Sequence, residues 1–206
     1  MSVRVKICGL TTIADAELAV QCGADLIGLN FYSSSPRFVS HAIAREICAV
    51  LPPHVLRVGV FVNAQRSEIV SLVNQLHLDL VQFHGDEEET DLLGWSCRTI
   101  KAVRVAPDAP LPDLTQIPTD YILLDTHRAG RYGGTGETFA WEPVVSYLPQ
   151  REERLLLAGG LTPENVALAV RTVRPWAVDV ASGVESAPGR KDLEKLRAFI
   201  TNAKTA

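Results

Sequence analysis

The chain has 206 residues, 47% of them hydrophobic and 21% charged, which allows a sizeable core and carries no signature of disorder. Its 20 basic and 24 acidic side chains leave a net charge of −4, which argues against a nucleic-acid or anionic-membrane partner; an anionic ligand must be held by local groups. The opening MSVRVKICGL has no apolar h-region, no run approaches the roughly 18–20 apolar residues that span a bilayer, and Cys8, Cys22, Cys48 and Cys97 lie far apart without a CxxC. The expectation is a cytoplasmic protein with free thiols.

Taken in chain order, eight short apolar, β-branched runs predict strands: 3–8, 25–31, 56–62, 78–83, 98–105, 121–125, 154–158 and 176–181. They are hydrophobic on both faces, as in a parallel sheet covered on each side. Helix-period segments separate most of them. The first starts at Thr12 and stops at Gly23, and the second starts at Ser40 and stops at Pro52. AQRSEIVSLVNQL and DEEETDLLGW follow, the acidic run 86–89 reading as the charged first turn of a helix. LTPENVALAVRTV has Thr162 as N-cap and Pro163 as first helical residue, and GRKDLEKLRAFITNA closes the chain.

This alternation predicts an α/β fold, and eight units favour a closed (β/α)8 TIM barrel forming a single domain over 1–206. The segment 106–120 holds four prolines, so the fifth crossover helix is expected to be replaced by a loop. In such a barrel the active site lies at the C-terminal strand ends, which narrows the search to the residues that follow each run.

Strand one ends in Cys8-Gly9. A cysteine there suits a general base if its thiol ionises, although cysteine statistics alone favour a packed hydrophobe. Strand six ends in Asp125, a carboxylate that is costly to bury unless paired; it reads as an acid or base, or as a loop brace. Arg37 follows SSSP after strand two, and its fork suits a carboxylate bidentately, with a solvated or ion-paired arginine as the alternative. Gly159-Gly160 after strand seven and Ser182-Gly183 after strand eight supply backbone N–H groups and a hydroxyl for one phosphate dianion. His84 ends strand four and is a candidate for substrate positioning or a structural role. The glycine-rich 127–139 suits a lid and lacks the Gly-Lys-Ser/Thr ending of a Walker A loop. The five histidines do not cluster, so no metal is expected.

KICGL, GLNFYSSSPRFVS, VGVFVN, VQFHGDE, LLD with GGTGETFAW, LAGGLTPENV and VDVASGVESAPGRKD together resemble the motifs of the phosphoribosylanthranilate isomerase family, in the family's order over nearly the whole chain. AGGL alone recurs in other phosphate-binding barrels; the combination of KICG, SPR, GGTG and SGVE is specific. The resemblance implies an Amadori rearrangement of N-(5-phosphoribosyl)anthranilate to 1-(2-carboxyphenylamino)-1-deoxyribulose 5-phosphate in tryptophan biosynthesis, with no cofactor. It implies that Asp125 is the general acid, Cys8 the general base, Arg37 the holder of the anthranilate carboxylate, and Gly159, Gly160, Ser182 and Gly183 the phosphate site. The expected partner is an anionic phosphosugar, and monomer and homodimer both stay open. Three other readings are weighed against this one. An indole-glycerol-phosphate synthase would be expected to show a strand-end lysine, for which Lys6 and Lys101 fit poorly. A bifunctional isomerase would be expected to carry an aspartate where Cys8 stands. A non-catalytic phosphosugar sensor would bind without turnover.

Overall fold

All eight apolar runs form strands, and every strand is parallel to its neighbours. In the computed structural model, which describes residues 2–105, 113–126 and 154–206, these are β1 (Arg4–Cys8), β2 (Leu26–Asn30), β3 (Leu56–Phe61), β4 (Leu80–Phe83), β5 (Arg98–Val105), β6 (Tyr121–Thr126), β7 (Leu155–Leu157) and β8 (Ala177–Val180). They hydrogen-bond in sequence order, and β8 pairs back onto β1, closing the barrel. The pairing sets Lys6 beside Leu26 on one side and Asp179 on the other, and Cys8 beside Gly28.

Side chains alternate across each strand, so every strand serves two cores. Outward residues such as Val5, Ile7, Ile27, Leu29, Val81 and Leu124 pack under the helices. Inward residues, among them Leu26, Val58, Leu80, Ile100, Leu123, Leu156 and Ala177, fill the interior. Two positions further along the same inward rows the chemistry changes: Leu80 gives way to Gln82, Leu123 to Asp125 and Ala177 to Asp179. The apolar lower interior anchors the strands, and the upper interior is left for polar work.

The helices α1 (Ile13–Cys22), α2 (His41–Val50), α3 (Arg66–Leu76), α4 (Val166–Val173) and α5 (Leu193–Lys204) lie between the strands and at the end of the chain. Thr12 and Ser40 cap α1 and α2 by accepting from the amides of Asp15 and Ile43, and Asp192 caps α5 through Lys195 N.

Two helix expectations are corrected. DEEETDLLGW forms only a 3-10 turn, Glu89–Leu92. Glu87 is turned inward onto the amides of Asn63 and Gly85 and onto Lys101 Nζ, so the acidic run does not open a helix. The carbonyl of Asp91, which an α-helix would give to the amide of residue 95, accepts from the Trp95 indole instead. The helix after β7 begins at Val166 rather than at Pro163, because the Asn165 side chain reaches back to Thr162 N and Gly160 O. Between residues 113 and 120 the fifth crossover holds only a 3-10 turn, Leu114–Gln116, as the prolines suggested. Residues 106–112 and the expected lid, 127–139, lie outside the described residues.

A short antiparallel hairpin, β9 (Glu185–Ala187) with β10 (Arg190–Lys191), follows β8 and was not anticipated. It carries two charged side chains, Glu185 and Lys191, into the rim. Among the described residues no helix is long and apolar enough to cross a membrane.

Candidate active site

One cavity of about 560 Å³ opens at the C-terminal strand ends, lined by Cys8, Arg37, Asp125, Gly159 and Ser182 among others. His84, Gly160 and Gly183 line it too, so every site residue expected from sequence faces one space.

Cys8 is the last residue of β1 and is 9% exposed. Gly28 stands beside it on β2, where an added Cβ would lie 2.8 Å from the Cys8 sulfur; a side chain there would displace the thiol. Two residues earlier on the same inward row, Lys6 is completely buried and paired with Asp179 at 2.9 Å. Burial pushes the Cys8 thiol up, and Lys6 is the strongest influence pulling it down, ahead of Lys191, while the Asp179 charge pushes it further up. Burial is the largest influence on Lys6 and disfavours its charge, but Asp179 and Cys8 together hold its pKa above the ordinary lysine value.

Lys191 braces the same side of the rim from above. Its ammonium donates to the carbonyls of Cys8 at 2.7 Å and Ala181 at 3.1 Å and to Glu185 Oε1 at 2.9 Å, tying the ends of β1 and β8 to the hairpin. Burial lowers its pKa and Glu185 partly offsets that. Glu185 in turn is held ionised against its burial by Arg37 and Lys191.

Arg37 is positioned by the β2 loop, where Ser35 Oγ accepts from Arg37 N and from Asn30 Nδ2. Its fork is already engaged. Nε and Nη2 donate to the two carboxylate oxygens of Glu185 at 2.8 and 2.7 Å. The side edge of the guanidinium is therefore occupied, which leaves its terminal edge for any ligand. The ion-paired alternative holds at this edge, and the terminal edge keeps two N–H donors side by side.

Asp125 ends β6 on the inward row and is 4% exposed. His84 leans over it, with Nε2 3.3 Å from Asp125 Oδ2. Gln82, wholly buried two residues before His84, places its amide nitrogen 2.9 Å from His84 Nδ1. The approach of His84 to Asp125 is near but poorly aligned: His84 Nε2, Asp125 Oδ1 and Gln82 Oε1 are buried and have no hydrogen-bond partner among the described residues. Lys101 and Arg104 brace the His84 loop through Gly85 O and His84 O.

At the third flank, Gly159 and Gly160 both take positive φ, 85° and 62°, turning the backbone sharply after β7. Gly183 abuts the Leu161 carbonyl so closely that a Cβ has no room, which brings the β7 and β8 loops together. Among the described residues no group of three potential ligands could hold a metal ion.

Lys6 and Lys101 were weighed as strand-end catalytic lysines. The first is sealed against Asp179, the second is held by Gly85 O and Glu87, and neither lines the cavity. Gln82, Asp179, Glu185 and Lys191 were not singled out from sequence. A signal for two of them exists: polar residues two positions from a candidate, or opposite one in register, break an otherwise apolar inward row. Glu185 and Lys191 depend on a hairpin that no periodicity announces.

Residues 5–202 match the family model described as N-(5'phosphoribosyl)anthranilate (PRA) isomerase. The chain is 52% identical over 202 residues to the N-(5'-phosphoribosyl)anthranilate isomerase of Pseudomonas fluorescens, covering 97% of each chain. It is 41% identical, with a TM-score of 0.85, to the crystal structure of phosphoribosyl anthranilate isomerase from Thermotoga maritima, over 99% of this chain and 100% of that one. A further structure, a phosphoribosyl anthranilate isomerase in complex with reduced 1-(o-carboxyphenylamino)-1-deoxyribulose 5-phosphate, matches at 39% identity and a TM-score of 0.81, over 99% and 100% of the two chains.

Proposed function

The chain belongs to the N-(5'-phosphoribosyl)anthranilate isomerase family, and on that premise we propose that it isomerises N-(5'-phosphoribosyl)anthranilate by a cofactor-independent Amadori rearrangement, with Asp125 as general acid and Cys8 as general base. The observation that carries the assignment is that these two side chains, from opposite parts of the strand order, line one cavity with a guanidinium and two glycine turns.

The steps follow from the residue types. Asp125, protonated, gives its proton to the furanose ring oxygen; the C1′–O bond breaks and the ring opens to a Schiff base. Cys8, as thiolate, takes the C2′ proton, and the electron pair left behind gives an enolamine that tautomerises to the ketone. Only protons move, so an acid and a base suffice. The thiol is the weak point, since an ordinary cysteine is only a few per cent thiolate at pH 7 and burial disfavours the anion further. Lys6 and Lys191 supply the positive field that opposes this. The terminal N–H groups of Arg37 receive the anthranilate carboxylate, and Gly159, Gly160, Ser182 and Gly183 receive the phosphate through backbone N–H groups and a hydroxyl.

The test is a fluorescence assay for loss of phosphoribosylanthranilate. Cys8→Ala and Asp125→Asn are each expected to lower turnover by at least roughly 10²-fold, the low end for a proton-transfer group. Near-wild-type turnover in either variant removes that residue from the mechanism, and binding without turnover in the wild type turns the reading into a sensor.

A further inference from the structure

We propose that Gln82 is a positioning residue for the reaction: by donating to His84 Nδ1 it fixes the imidazole in the Nε2–H tautomer, so that an N–H faces Asp125 as that carboxyl gives up its proton. The inference rests on the reading of Asp125 as the general acid.

The geometry begins with strand periodicity. Gln82 lies on the inward row of β4, His84 follows two residues on, just past the strand end, and Asp125 closes the inward row of β6, one strand removed. Gln82 is completely buried, and its Nε2 sits 2.9 Å from His84 Nδ1. An amide nitrogen only donates, so Nδ1 must accept, and a neutral ring then carries its single proton on Nε2. That nitrogen is 3.3 Å from Asp125 Oδ2 and has no hydrogen-bond partner among the described residues.

A long, misaligned contact is what a transition-state interaction requires. Were Nε2–H already tight on Asp125, it would stabilise the carboxylate before the reaction and weaken the acid. Because it is slack at rest, it strengthens only as the Asp125 O–H bond breaks and negative charge grows on the carboxylate. The protons balance: the Asp125 proton goes to the ring oxygen of the substrate, His84 keeps its own, and Gln82 changes nothing but the orientation of the ring. The three polar atoms that have no partner among the described residues at this one place are the trace of the arrangement. A purely structural His84 would have its ring nitrogens satisfied, as buried polar groups generally are.

The experiment uses the ligand-free protein with 15N-labelled histidine. Long-range 1H–15N correlation spectra at neutral pH are expected to show His84 as a neutral ring protonated on Nε2. A ring protonated on Nδ1, or an imidazolium, overturns the proposal without any variant being made. Gln82→Met, which keeps the volume and removes the donor, is expected to lose the tautomer preference and to lower kcat about tenfold, the worth of one buried hydrogen bond, with KM unchanged. Gln82→Glu offers Nδ1 an acceptor and is expected to move the ring proton to Nδ1 with at least as large a loss. On a His84→Gln background the Gln82→Met change is expected to cost nothing further; an equal loss there means that Gln82 only packs the barrel, and the proposal falls. Should Asp125→Asn keep its turnover, the assignment of the acid fails, and the tautomer spectra still decide whether Gln82 sets the ring.

Discussion

The two flanks of the cavity are built differently. Around Cys8 every charged group is paired: Lys6 with Asp179, Lys191 with Glu185 and two carbonyls, Arg37 with both oxygens of Glu185. Around Asp125 the contacts among the described residues are fewer and slack, and three buried polar atoms have no partner there. On the proposed assignment of Cys8 as base and Asp125 as acid, the contrast follows from what each flank would have to do. A buried thiol resists ionisation, so the base needs a permanent positive field, and buried cations persist only if anions hold them in place. An acid that must keep its proton until the substrate arrives is better served by neutral neighbours that respond to charge only when it appears.

The comparison can be broken at the base flank first. Gly28→Ala sets a Cβ 2.8 Å from the Cys8 sulfur and 3.0 Å from its Cα. The thiol has to move, and the expected result is a loss of about 10²-fold in kcat, the cost of misplacing a reacting group by roughly 1 Å. Unchanged kcat in the folded variant means that the position of the thiol tolerates more than the packing suggests. Lys6→Met removes the cation and leaves Asp179 buried without its partner. Urea denaturation is expected to register about 3–5 kcal/mol of lost stability. The sign of the pH effect is set by the thiol. Turnover needs the thiolate and rises with pH through the Cys8 pKa. With Lys6 gone, burial and Asp179 both push that pKa upward, so the rising limb moves to higher pH. Adding Asp179→Leu is expected to restore most of the stability and, by removing one of the two upward pushes on the thiol, to bring the rising limb only part of the way back, separating the fold from the field.

Glu185→Gln tests the link between the flank and the substrate. Arg37 and Lys191 lose the anion that holds them, and KM is expected to rise about tenfold while kcat falls less, the mark of a misplaced binding group. A kcat effect larger than the KM effect assigns Glu185 to the base instead of the carboxylate. The smallest effect is a control away from the rim. Cys48 in α2 is buried, and desolvation pushes its thiol up to about 11 against the opposing Arg57 charge. Its folded value lies above the unfolded value of about 8.5, so its contribution is complete below that pH and is lost as pH rises toward 11, by up to about 1.4 kcal/mol per pH unit. Cys48→Ala is expected to flatten that alkaline loss of stability in urea titrations and to leave the turnover profile in place.

Most of the architecture was legible because periodicity is local. Eight two-faced apolar runs separated by capped helices leave few folds open, and the strand ends then point to Cys8, Arg37, His84, Asp125, Gly159, Gly160, Ser182 and Gly183. The misjudged elements failed for equally local reasons. DEEETDLLGW reads as a helix until Glu87 turns inward and the Trp95 indole takes the carbonyl of Asp91. The start of α4 shifted because the Asn165 side chain satisfies loop backbone that a helical turn would have claimed.

By itself, then, the sequence determined which residues stand at the rim of the cavity, since a residue's place along its strand is written in the chain. Only the tertiary structure decided what each of them faces. Lys6 and Asp179 are 173 positions apart and meet because β8 closes onto β1. Lys191 reaches the carbonyl of Cys8 across 183 positions through a hairpin no pattern predicts. Gln82 becomes notable only once His84 is seen lying against Asp125. Electrostatic influence depends on distance and burial, and both are set by barrel closure rather than by spacing along the chain.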